Sequence, residues 1–154
     1  MESTGQTPAA STTQGSHPMA DRVRASLKGT LCERMGMEIV ELRPDGGIMT
    51  MPIEGNTQPV GLLHGGASIA LAESLVSLAG VLHGWDLYGE GAQAVGTTFS
   101  ATHHKPGRTG TVTATARAQH LGRQVTSYLV EVRAEDGTLL CTVLGSAHLL
   151  PPRA

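Results

Sequence analysis

An α+β domain, with an antiparallel β-sheet wrapped around one long central helix, is the fold class this sequence predicts. Three observations carry it. Residues 64–80 are apolar or small at nearly every position, the pattern of a helix covered on most of its sides. Two strand-like runs precede that stretch and four come after it, each bounded by Gly, Pro, Asn or Asp. The 154 residues are one domain's length, enough to bury about two thirds of the unfolded surface around a single core.

Residues 1–20, at the start of the chain, are mainly Ser, Thr, Gly, Gln, Pro and Ala, too little apolar surface to offset the entropy of ordering. They predict a disordered tail ahead of one domain at 21–154. From Asp21 to Arg34, Val23, Leu27, Leu31 and Met35 recur every four residues, which predicts a leading helix capped by Asp21 and broken near Gly29. Runs 37–42 and 47–53 flank Pro44, Asp45, Gly46 and Gly47, the signature of a hairpin. A loop from Glu54 to Leu63 leads to His64, Gly65 and Gly66, where a helix of about 17–20 residues begins. Trp85 and Tyr88 then fall in a loop from Leu82 to Gly91, either to shape the mouth of a site or to anchor the loop. Segments 92–104, 110–120, 123–134 and 138–149 complete the sheet. Val112, Ala114 and Ala116 alternate with Thr113, Thr115 and Arg117, one apolar and one polar face.

Composition excludes several classes. A net charge of −2, from 11 basic and 13 acidic residues, offers no electrostatic footprint for nucleic acid or an anionic membrane. Cys32 and Cys141 form no CxxC pair, and no N-terminal apolar segment of signal-peptide length precedes them. A soluble, cytoplasmic protein is expected. His83, His103, His104, His120 and His148 lack zinc-type spacing with the cysteines, and no G-x-S-x-G elbow occurs. No metal is expected.

Glu73 stands out because it interrupts the apolar helix. Removing a carboxylate from water costs several kcal/mol even after relaxation, so a carboxylate wrapped by that helix's neighbours needs a reason. It can act as nucleophile or as general base to water, or it can be a buried acid satisfied by Ser77, four residues on along the same face, or by a partner helix. Gly65 and Gly66 at the helix start leave backbone N–H groups at the positive end of the dipole with no side chain in the way. They suit an oxyanion donor, or they serve close packing alone. Gly65 and Glu73 are separated by roughly 12 Å along the axis, so one reacting carbonyl cannot touch both. A two-fold dimer with antiparallel helices crossing near Ile69 removes the gap, with Gly65 of one chain facing Glu73 of the other.

The run from Gln58 through His64-Gly65-Gly66 to Glu73 and Ser77 resembles the active-site segment of hotdog-fold acyl-CoA thioesterases. Within them it is most similar to the glutamate-using branch that contains 4-hydroxybenzoyl-CoA thioesterase of the Arthrobacter type and 1,4-dihydroxy-2-naphthoyl-CoA thioesterase. The resemblance covers residues 30–150 and implies the hotdog fold. It further implies hydrolysis of an acyl-CoA, with coenzyme A as part of the substrate and no cofactor. Gln58 and Gly65 would come from one subunit, Glu73 and Ser77 from its partner, in a homodimer that pairs again into a homotetramer. Gln58 would donate to the thioester oxygen or position water, and His64 would contact the sulfur, orient water or cap the helix. His104, Lys105 and Arg108, with His120, Gly122 and Arg123, stand where phosphates of coenzyme A would meet cations. The branch implies a compact aryl acyl group, of hydroxybenzoyl, hydroxyphenylacetyl or dihydroxynaphthoyl type. With one Phe, one Trp and two Tyr in the chain, aliphatic and Met side chains are expected to line its pocket. Two other readings of the fold stand beside this one: an acyl-CoA sensor without catalysis, and an enoyl-CoA hydratase or dehydratase.

Overall fold

The computed structural model describes residues 15–153. Most of the expected tail, residues 1–14, lies outside them. Two short helices, α1 (Ala20–Ala25) and α2 (Leu31–Arg34), lead into a hairpin of β1 (Glu38–Arg43) and β2 (Gly46–Pro52). Then come the long helix α3 (Gly65–Tyr88) and four strands: β3 (Gln93–His103), β4 (Thr111–Leu121), β5 (Val125–Ala134) and β6 (Leu139–Leu150). The six strands form one sheet in the order β1-β2-β4-β5-β6-β3, and every neighbouring pair is antiparallel.

The core lies between the sheet and one face of α3. Leu71, Leu75, Val76, Ala79 and Leu82 of the helix are fully buried, as are Met49, Val112, Tyr128, Val130 and Val143 of the sheet. Burying each such Leu or Val side chain stabilises the fold by about 1.5–3 kcal/mol. The alternation expected in β4 is present: Val112, Ala114 and Ala116 are buried while Thr115 and Arg117 are exposed. At the sheet's centre Tyr128 donates to Pro44 O at 2.7 Å, tying β5 to the β1–β2 turn. Burial pushes its phenol well above the ordinary range.

Three expectations need correction and one stands. The ordered chain reaches back past residue 20: His17 N–H donates to Leu42 O at 2.8 Å, and Ala20 is buried. Asp21 is not a cap; it lies in the first turn of α1, which Met19 precedes, and pairs with Arg24. The break at Gly29 is real, with φ of 76°, so the leading helix is two pieces. Most consequential, α3 runs 24 residues, to Tyr88. Its interior glycines, each costing about 1 kcal/mol relative to Ala, read as a helix end but serve close packing. A Cβ on Gly80 would lie 3.1 Å from Ala94 Cβ, and one on Gly84 3.4 Å from Ala92 Cβ. The helix stops at Gly89, whose φ of 84° suits glycine.

That longer helix is apolar enough to cross a bilayer by length and composition, but half of its most apolar window is buried inside the protein. It also removes the expected loop from Leu82 to Gly91. Trp85 Nε1 donates to Ala92 O at 3.0 Å and Tyr88 Oη to Arg123 O at 2.5 Å. Both rings therefore clamp the far end of α3, roughly 20 Å along the axis from Glu73, and do not shape a site mouth beside it in the same chain.

Candidate active site

The start of α3 is held by its loop. His64 N–H donates to Asn56 O at 2.9 Å and Leu63 N–H to Gly107 O at 2.8 Å, while Asn56 Nδ2 bonds Met35 O and Pro52 O. His64 is the helix cap: its Nδ1 accepts from Gly66 N–H at 2.8 Å, and its carbonyl accepts from Ala67 and Ser68. Gly65 is left as the helical amide with no acceptor among the described residues. The first amides of a helix lack partners inside it, so of the two glycines it is Gly65 whose N–H is free for an oxyanion.

Gln58 lines the same cleft as Gly65. Its Oε1 accepts from Val60 N–H at 2.8 Å, which leaves its NH₂ group as a donor. His104 and Lys105 line that cleft too, and so does Ser68, a buried serine one turn along α3. The cleft encloses about 410 Å³ and has Leu62, Leu63 and Leu140 as apolar wall. His103, marked in the sequence only as a histidine without zinc-type spacing, joins them: a Cβ on Gly65 would lie 2.9 Å from its Nε2. Only the packing of β3 antiparallel beside α3 brings the end of that strand to the start of the helix.

Glu73 stands elsewhere, and here the premise drawn from the sequence fails. In the single chain it is exposed, because α3 is covered on one face only. Ile69, Glu73 and Ser77 share the less covered stripe, with Glu73 exposed and Ile69 and Ser77 half-buried. Ser77 lies one turn beyond Glu73, yet no hydrogen bond joins the two side chains among the described residues, so the reading of a buried acid satisfied by Ser77 does not hold. The Glu73 carboxylate leans over β3, where a Cβ on Gly96 would meet its Oε1 at 3.0 Å.

The expected phosphate-binding residues separate into three places. His104 and Lys105 flank Gly65. Arg108 lies in an adjoining groove with Glu135 and Asp136, and the Thr138 amide and side chain hold the Asp136 carboxyl below its ordinary range, so an anion there meets negative charge. His120, Gly122 and Arg123 gather around Tyr88, at the opposite end of α3. Among the described residues no three His, Cys, Asp or Glu side chains are grouped to hold a metal ion.

Comparison with known proteins agrees with this fold. The family model of the Thioesterase superfamily matches residues 60–141, the span that holds Gly65 and Glu73. The proofreading thioesterase EntH of Klebsiella pneumoniae is 44% identical, with 82% of this chain and 91% of that protein covered. EntH of Cronobacter turicensis is 42% identical over 82% of this chain and 90% of that protein. Among solved structures, a thioesterase from Haemophilus influenzae superposes with a TM-score of 0.77 at 33% identity, covering 85% of this chain and 90% of that one. A mutant thioesterase from Pseudomonas aeruginosa gives 0.78 at 32% identity, covering 85% and 93%. On matched sequence, sheet order and central helix together, the chain belongs to the thioesterase superfamily and is a thioesterase of the hotdog fold.

Proposed function

We propose that this thioesterase cleaves acyl-CoA thioesters, with a compact aryl acyl group as its preferred class, at a site shared between two copies of the chain. The carrying observation is a separation: Gly65 and Glu73 lie on one continuous helix, roughly 12 Å apart along its axis, with Glu73 exposed in the single chain. The sheet supplies the means of closing that gap. β3 is an edge strand of 11 residues, and an edge of that length presents unpaired N–H and C=O groups ready to bond a second strand. A two-fold axis at this edge pairs β3 with β3 and sets the helices antiparallel.

In that assembly the Gly65 N–H and the Gln58 NH₂ of one subunit donate to the thioester oxygen. Glu73 of the partner subunit either attacks the carbonyl carbon or removes a proton from the attacking water. Charge moves onto the oxygen as the C–O bond forms, and a fixed amide donor there is worth about 10²–10³ in rate. Collapse of the tetrahedral species breaks the C–S bond and releases the thiolate of coenzyme A. Where Glu73 has attacked, water then cleaves the resulting anhydride. Ser77, one turn beyond, is in place to orient that water. His104 and Lys105 meet the phosphates, and the groups around His120, Gly122 and Arg123 do so only if another copy brings them near. The reaction needs no cofactor, the dimer pairs into a tetramer, and the enzyme works in the cytoplasm.

Thiol release from a panel of aryl- and alkyl-CoA thioesters, with wild type and Glu73→Ala, tests this reading. Aryl turnover that is lost in the variant supports it. Binding without turnover would indicate a sensor instead, and water addition to an enoyl-CoA a hydratase.

A further inference from the structure

The only phenylalanine in the chain lies beside Glu73, and the strand that carries it is irregular at that point. Gly96 pairs with Ala147, but Thr98 pairs with Ser146, so Thr97 is one residue too many on β3. Its Oγ1 bonds back to Ser146, at 3.2 Å to the carbonyl and 3.0 Å to the hydroxyl. In a regular strand residues 96 and 99 would face opposite sides of the sheet. The bulge turns both toward α3, because their partners Ala147 and Gly145 are both buried beneath the helix.

Two glycines make room for the aromatic ring. A Cβ on Gly145 would lie 2.5 Å from Phe99 Cε1 and 3.3 Å from Val76 Cγ2, so the ring packs on β6 at Gly145, next to Val76 of α3. A Cβ on Gly96 would lie 2.6 Å from Phe99 Cε2 and 3.0 Å from Glu73 Oε1. The edge of the ring and the carboxylate thus border the same small recess, whose floor is the bare backbone of Gly96. Neither a hydrogen bond nor an ion pair holds the Glu73 side chain among the described residues.

We propose that Gly96 and Phe99, brought to one face by the Thr97 bulge, form a seat that positions the Glu73 carboxylate for reaction. Phe99 is a positioning residue, and the inference rests on the role of Glu73 given above. A long side chain on an open helix face loses rotamer entropy when it is held in one place, and a wall of aromatic carbon on one side with a glycine floor restricts it sterically. A misplacement of about 1 Å can cost 10²-fold in rate, so the seat acts on kcat more than on KM.

The test uses the full chain and thioester hydrolysis, with Tm as the check on folding. Gly96→Ala fills the recess at a position whose φ is not in the left-handed region. It is expected to lower kcat by about 10–100-fold with KM changed less than about twofold. Phe99→Ala should lower kcat similarly, and Phe99→Leu should restore much of the loss. In a Glu73→Gln background, where there is no carboxylate to seat, the same changes should add less than about twofold, because residues acting as a unit are not additive. Equal fold-losses in both backgrounds, or unchanged kcat for Gly96→Ala and Phe99→Ala, overturn the seat. If Gly96→Ala does not fold, the two Phe99 variants decide by the same criteria. Glu73→Gln alone separates the two levels: if it leaves hydrolysis intact, the role of Glu73 fails, whereas a dead Glu73→Gln with indifferent seat variants removes only the seat.

Discussion

The two faces of α3 are built for opposite purposes from the same 24 residues. One face, Leu71, Leu75, Val76, Ala79 and Leu82, is fully buried on the sheet. The other carries half-buried Ile69 and Ser77 on either side of the exposed Glu73. Stability in the single chain comes from the first, so the second can hold an acid there without the cost of desolvating it. The difference explains why a helix that looks uniformly apolar in sequence is not uniformly covered.

Substitutions on each face should separate rate from stability. Glu73→Gln on the open face should lower kcat by about 10²–10⁴-fold, the span of general acid–base contributions, while unfolding free energy stays within about 0.5 kcal/mol of wild type. Leu75→Ala on the buried face should do the reverse. It should cost about 2–5 kcal/mol of stability by opening a cavity, with activity falling only as far as the folded fraction does. Denaturant titration and steady-state kinetics on both variants decide it, and a Glu73→Gln protein that loses stability instead of rate would erase the distinction.

A second experiment asks what the open face is for. Gly65→Pro removes the free amide at a helix position that tolerates proline, and it also crowds His103. Alone it should be inactive, as should Glu73→Ala. Co-expressed, random pairing should recover roughly a quarter of wild-type activity, since half of the dimers are mixed and each has one intact site. Mixed dimers that form and remain dead would end the shared-site reading.

The smallest effect belongs to the covered side. Burial raises the Tyr128 phenol above the ordinary tyrosine range, so the folded state holds its proton more tightly than the unfolded chain. Its contribution is complete below the unfolded value of about 10 and is lost as pH climbs toward the folded one. Tyr128→Phe should cost about 1 kcal/mol at neutral pH through the lost bond to Pro44 O, and should flatten the alkaline decline of Tm. An unchanged decline would place the alkaline sensitivity in other groups.

Legibility in the sequence tracked physical range. The hairpin at Pro44–Gly47, the alternation in β4 and the glycines opening α3 are local, set by φ preferences and side-chain period, and they stand where expected. The end of α3 did not, because Gly80 and Gly84 are explained only by Ala94 and Ala92 across the interface. Trp85 and Tyr88 were misplaced for that reason. The places of His103 beside Gly65 and of Phe99 beside Glu73 were not legible, because a strand's neighbour in space is not its neighbour in sequence. The one signal of the bulge at Thr97 is the neighbouring Gly96, since an isolated glycine inside a strand suggests a bulge or a close approach of backbone.

Residue order alone was enough for the succession of elements, the single long helix and the family, since each rests on contacts within a few residues or on one continuous motif. Folding in three dimensions decided which face of α3 is open, that His64 spends its ring nitrogen on Gly66, and that Glu73 lies over Gly96 beside Phe99. Those outcomes depend on how a helix seats against strands far along the chain. The packing energy that chooses the seat is summed over many side chains and is carried by no short stretch of them.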